Sequence, residues 1–220
     1  MAIKTIGSSG VEVEVETLSK SLRAVQRPTD VGALGSFAFS LVSGVIAAGI
    51  AANAPIVSLR NAAANPILIR KFELCAYING TAFTAGMGNL QAFIARSFSA
   101  SDSGQTAVTL TGGKMRTSQT GPGIADLRVA NTGAITPGTR TLDSTPFAQV
   151  AFPVPGTVTY SALIPAKTPL FKRGAGEWPL VLGANEGVVI QANMPATGTW
   201  TFSLDTEWDE VSTYGTGLAS

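Results

Sequence analysis

The stretch Thr199–Trp208 alternates strictly, with Trp200, Phe202, Leu204 and Trp208 on one side and Thr199, Thr201, Ser203, Asp205 and Glu207 on the other. A period of two marks a half-buried β-strand and does not fit a helix of 3.6 residues per turn. The same period recurs from Gly35 onward. In Ile67–Ile78 it is expected to set Leu68, Phe72, Leu74, Ala76 and Ile78 on one face, ending at the turn dipeptide Asn79–Gly80. Leu90–Phe98, Val108–Leu110, Ala125–Ala130, Ala148–Val154, Thr157–Ile164, Pro179–Leu182 and Gly187–Asn193 read as further strands. In Thr157–Ile164, Val158, Tyr160, Ala162 and Ile164 are expected together. Two longer turn-rich segments, Thr136–Pro146 and Pro165–Glu177, suit crossings between sheets rather than the tight turns of a meander. No amphipathic helix longer than two turns and no internal repeat is visible. The expected fold class is therefore all-β: an antiparallel β-sandwich of jelly-roll or Greek-key type.

The segment from Val31 to Leu59 carries no charge at all, and its length alone would allow a membrane span. It also holds Gly35, Gly44, Gly49, Asn53 and Pro55, and it lacks an aromatic belt at its second end. It is expected to form two buried strands joined by a small-residue turn around Ala47 to Asn53. MAIKTIGSSG has no apolar run of signal-peptide length after Lys4.

Residues 1–30 differ from the rest and are expected to form an N-terminal extended arm or edge strand. Residues 31–212 would be the sandwich, and 213–220 a loose tail. In the first segment, VEVEVE at 11–16 alternates apolar and acidic side chains, followed by a polar, basic stretch. Its apolar residues Val11, Val13, Val15, Leu18 and Leu22 are the candidate assembly contacts. The strand either closes the sheet at its edge or adds to a neighbouring subunit, and nothing in the sequence separates the two.

Composition narrows the function. The chain of 220 residues has no histidine and one cysteine, which removes His-based general bases, nucleophile triads and zinc sites. Cys75 is expected to be a buried thiol without a disulfide partner. Charged residues are 13%, and 15 basic against 14 acidic side chains leave a net charge of +1. So even a balance gives no electrostatic footprint for nucleic acid or an anionic membrane, and little colloidal repulsion. Neither of these partners, nor a cofactor or metal, is expected, and the chain is not expected to be an enzyme.

The remaining candidates have structural explanations. Asp205, Glu207 and Asp209, with Glu210 beside them, are expected on a solvated strand face rather than at a hydrolytic or calcium site. Glu186 lies in the tight loop Gly183–Gly187. Gly112–Gly113–Lys114 lacks the spacing of a phosphate loop. Trp178, in a loop, is a candidate surface contact for a sugar or a partner.

Ala125–Ala130, Thr136–Asp143, Pro179–Leu182 with Asn185–Gly187, and Thr199–Trp208 with Asp209–Val211 occur in an order that resembles bacteriophage virion structural proteins of the capsid decoration or cement type. The resemblance covers a little under half the chain and carries no catalytic signature. It implies a homo-oligomer such as a trimer, bound to the major capsid protein and resident in the virion. The alternative expectation is a phage fibre, tail or receptor-binding module that recognises host glycan.

Overall fold

The computed structural model describes residues 5–6, 12–13, 34–47, 50–115, 121–122, 125–174 and 179–212. Its elements are β1 (Thr5–Ile6), β2 (Glu12–Val13), β3 (Gly35–Val42), β4 (Ala54–Asn61), β5 (Ile67–Asn79), β6 (Gly86–Phe98), β7 (Thr106–Ala107), a 3-10 turn (Leu110–Gly112), β8 (Ala125–Val129), β9 (Arg140–Leu142), β10 (Ala148–Val154), β11 (Tyr160–Lys172), β12 (Leu180–Leu182), β13 (Gly187–Asn193) and β14 (Trp200–Glu210). No α-helix occurs among the described residues, and none of their helices is long and apolar enough to cross a membrane.

Eight of these strands pair as one long antiparallel ribbon. Its first strand, β3, pairs with its last, β14; β4 pairs with β13, β5 with β11, and β6 with β10. Pairing of β5 with β14 and of β6 with β13 folds the ribbon into two sheets. One runs β11-β5-β14-β3, with β12 also on β5; the other runs β10-β6-β13-β4-β8-β7, with β9 on β6. This is the strand order of a jelly roll. The segment expected as two buried strands with a small-residue turn is β3 and β4, which lie in opposite sheets, with Asn53 in the turn at φ 60.

Period two explains which side of each strand faces inward. Trp200, Phe202, Leu204 and Trp208 of β14 are all at most 1% exposed. They meet Phe72, Leu74, Ala76 and Ile78 of β5, and Val57, Leu59, Leu90, Val188 and Ile190 of the facing sheet, in one apolar core. Trp208 stacks on Phe37 and Phe39, with ring centroids at 5.7 and 5.1 Å. Gly113 is pressed against this group: a Cβ there would lie 2.3 Å from the Phe39 ring. β4, an apolar run in sequence, is buried along both faces except at Arg60. On the outer side of the same sheet, Ala95 and Phe98 of β6 and Val189 of β13 form a small second cluster with Leu142 of β9. The loops over it are pinned by a buried Arg140–Asp102 ion pair, and Asp102 also accepts a hydrogen bond from the Gly138 amide at 2.7 Å.

The structure departs from the sequence expectations in several places, among them β9 at Arg140–Leu142 inside the expected crossing Thr136–Pro146. Ile69, not Leu68, shares the core face with Phe72, because Glu207 pairs with Lys71 while Trp208 pairs with Ile69, leaving Arg70 as the extra residue of a bulge. A bulge inverts the alternation that periodicity assumes. β11 continues through Pro165 and Pro169, where a crossing was expected. It lies at a sheet edge and its register shifts three times against β5, so the missing prolyl N–H groups cost it no continuous ladder. The same shifts put exposed Tyr160 and buried Ile164 on different faces. Finally, Thr106–Ala107 is the short strand, and Leu110 opens the 3-10 turn.

β1 and β2 pair with each other as a separate two-stranded sheet, Thr5 opposite Val13 and Ile6 opposite Glu12. The described part of the N-terminal segment is thus a local pairing and adds to neither large sheet. The remaining expected arm contacts, Val11, Val15, Leu18 and Leu22, and the tail 213–220 lie outside the described residues.

Two substitutions test this core by urea unfolding. Trp208→Ala should lose about 3–5 kcal/mol, because the space between Phe37 and Phe39 cannot close. Thr206 is fully buried and its hydroxyl has no hydrogen-bond partner among the described residues. Thr206→Val should gain about 1 kcal/mol by removing that unpaired group; a loss would show that the hydroxyl is satisfied in solution.

Candidate functional site

The outward-facing side chains of the five-stranded sheet follow from its register. Crossing from β3 to β11, one row reads Val42, Ser203 and Cys75; the next reads Thr201, Tyr77 and Ala162, with Tyr160 beside Asn79 at the end. Val42, Tyr77 and Tyr160 are 66%, 41% and 73% exposed. On β3, β14 and β5 this half carries no charged side chain; β11 adds one exposed cation, Lys167, in the register shift beside Cys75. Cys75 belongs to it: the expectation of a core thiol is corrected, since Leu74 and Ala76 point inward and Cys75 is half-buried on the outside. Its Sγ lies 2.9 Å from Ser203 Oγ. The Tyr77 phenol is raised above its ordinary value of 10.0, chiefly by a hydrogen bond with the Cys75 side chain and then by electrostatic repulsion from the same residue.

The other half is an ion-pair array. Asp205 stands opposite Glu73, and Glu207 opposite Lys71. Lys71 Nζ lies 2.8 Å from Glu207 and 3.3 Å from Glu73, and Lys172 Nζ donates to Glu73 at 2.9 Å. The hydrogen bond from Lys172, then that from Lys71, holds Glu73 below its ordinary value against the opposing effect of burial. Glu207 in the same way raises Lys71. At the end of this half, the bulged Arg70 donates through Nε to Asp209, which also accepts from the Ser36 hydroxyl. Asp209 is 1% exposed and Glu210 4%. The expected solvated acidic face therefore holds only for Asp205 and Glu207, because the bulge brings a guanidinium onto Asp209.

Glu73, Glu207 and Asp209 are committed to cations, while Asp205 stands opposite Glu73 with no ion pair among the described residues. An acid–base pair set up for hydrolysis is not seen among the described residues. Among the described residues no three His, Cys, Asp or Glu side chains converge on a common point. Glu186 closes its own turn, its carboxylate accepting from the Gly183 amide at 2.7 Å beside Asn185 at φ 61. Lys114 forms a bridge with Phe37 at the β3 edge. Trp178 lies outside the described residues. Val13, the one assembly candidate within them, pairs with Thr5. The sequence reading missed the exposed group Val42, Tyr77 and Tyr160, whose members are far apart in the chain; the only available signal was that Tyr77 alternates outward between Ala76 and Ile78.

In comparisons with protein-family models, curated proteins and solved structures, none matches this chain.

The ion-pair array predicts a pH profile. Glu73 contributes stability that is complete above 4.5 and fades as pH falls through its lowered value; Lys71 contributes stability that is complete below 10.5 and is lost as pH rises through its raised value. Glu73→Gln should flatten the acid limb of a stability–pH curve, and Lys71→Met the alkaline limb. Separately, Cys75→Ala should bring the ultraviolet titration of Tyr77 back toward 10.0; an unmoved midpoint would show that the thiol does not control the phenol.

Proposed function

We propose that this protein is a structural subunit of a bacteriophage particle, a decoration or cement protein, which docks on the major capsid protein through the outer face of its five-stranded sheet. The observation that carries the reading is the division of that face. A half with two exposed tyrosines and Val42, charged only at Lys167, adjoins a half in which Lys71, Glu73, Glu207 and Lys172 are paired with one another. Tyrosine is enriched where interfaces bury their centres, and paired charges form a polar rim that costs less to dehydrate than isolated ones. The ordered resemblance to virion structural proteins supports the same reading, as does a weakly charged chain without histidine. Jelly-roll sandwiches serve capsid shells and lectins alike, so the fold adds compatibility and not identity. Self-association as a homo-oligomer and contacts from the N-terminal segment belong to the proposal.

Occupancy on purified particles tests it. The double substitution Tyr77→Ala with Tyr160→Ala should cut retention by roughly thirtyfold or more, the loss expected when an interface anchor worth about 2 kcal/mol is removed. Its unfolding midpoint should stay within a few degrees of the parent, since both side chains are exposed. Deleting residues 1–27 should also reduce occupancy while leaving the sandwich folded. A parent protein that is a stable monomer in solution and missing from purified particles would refute the proposal.

A further inference from the structure

The outer face of the other sheet has a different chemistry. Leu90, Ala92, Phe152, Ile190 and Ala192 point into the core, so the alternate residues of β6, β10 and β13 point outward. The register sets them in rows. Gln149, Gln91 and Gln191 stand side by side, then Ala151, Asn89 and Asn193, then Pro153 beside Met87. Five carboxamides thus occupy two adjacent rows across three strands, with strands about 4.8 Å apart and rows about 6.8 Å apart.

No charged residue lies in β10 or β13, and the one in β6, Arg96, is beyond these rows and paired with Asp143. Each carboxamide offers two donors and an acceptor. Within the lattice Gln91 donates to Gln149 at 3.3 Å. The Asn89 Oδ1 atom is shielded from water and has no hydrogen-bond partner among the described residues. Met87, 67% exposed, with Pro153 and Ala151, borders the amides with apolar surface.

We infer that this amide lattice is a binding site for a neutral, hydroxyl-rich ligand, namely an uncharged carbohydrate chain. Hydroxyl groups both donate and accept, as the amides do. The ring C–H faces match Met87 and Pro153. An acidic glycan would find no cation here, and a basic ligand no carboxylate. A protein partner is disfavoured, because the residues that anchor protein interfaces, tyrosine and arginine, are absent from these rows. The site is independent of the docking face, which lies on the opposite side of the sandwich.

Calorimetry on the full chain with maltohexaose, cellohexaose and mannohexaose, and with an oligogalacturonate as the acidic comparator, tests the inference. At least one neutral oligosaccharide should bind, with an affinity unchanged between low and high salt. Gln91→Ala and Gln191→Ala should each weaken it roughly tenfold at an unchanged thermal midpoint, while Tyr77→Ala should leave it intact. No binding by the three neutral probes at millimolar concentration overturns the inference. Binding that survives the Gln91→Ala, Gln191→Ala double substitution also overturns it. So does a preference for the acidic chain, or loss of self-association in these variants, which would assign the face to a second copy.

Discussion

The inner row of β14 is the constraint on which the rest of the molecule depends. Trp200, Phe202, Leu204 and Trp208 are inserted between β3 and β5, and they form the wall against which the second sheet packs. Because β14 is the last strand of the ribbon and β3 the first, this wall is completed only when the two ends of the domain meet. The hydrogen bond between Ser36 and Asp209, 173 residues apart, marks that closure. A fold whose central strand comes from the end of the chain has a high contact order and is expected to fold slowly. It also leaves no small autonomous piece: without β14, β3 loses its strand partner and the inner face of β5 is open to water.

Much of the architecture was legible where one strand alone carries its own instruction. β10 and β13 fall at the residues where alternation placed them, and Gly80, with φ +98, ends β5 at the Asn–Gly turn. Expectations failed where geometry depends on a neighbour. Nothing in Ile67–Lys71 announces that Arg70 will bulge; the bulge exists because β14 and β5 must both keep large residues inward on either side of it. Pro165 and Pro169 read as breakers, yet an edge strand needs hydrogen bonds on one side only. Gly198 is the opposite case: its φ of +101 fits a turn residue, and the Phe83 ring packs where a Cβ would sit.

Functional surfaces were harder to read than strands because they are built across the ribbon. Tyr77 and Tyr160 are neighbours only through the pairing of β5 with β11, and Gln91 meets Gln149 and Gln191 only through β6. Along the chain each is a single polar or aromatic residue between apolar ones, as on any solvated strand. Knowledge of the register turns the same alternation into rows. A faint signal was present in the pairs Asn89 with Gln91 and Gln191 with Asn193, which use amides where exposed strand positions usually include charges. Cys75 shows the converse: its residue type suggested the core, whereas its position between Leu74 and Ala76 already put it outside.

The few charges of this chain explain how two such faces coexist. Asp102 and Arg140 are spent on holding loops over the outer side of β4, Arg96 and Asp143 pair at the far end of β6, and Lys71, Glu73, Glu207 and Lys172 neutralise one another on the opposite sheet. Charges fixed in pairs impose little long-range field, so the binding proposed for either face would rest on short-range shape and hydrogen bonding. One open face then presents phenols and apolar side chains beside a neutralised rim, and the other presents amides. Weak fields and distinct contact chemistry would suit the proposed particle subunit, which would have to sit beside many copies of its partners without repelling them.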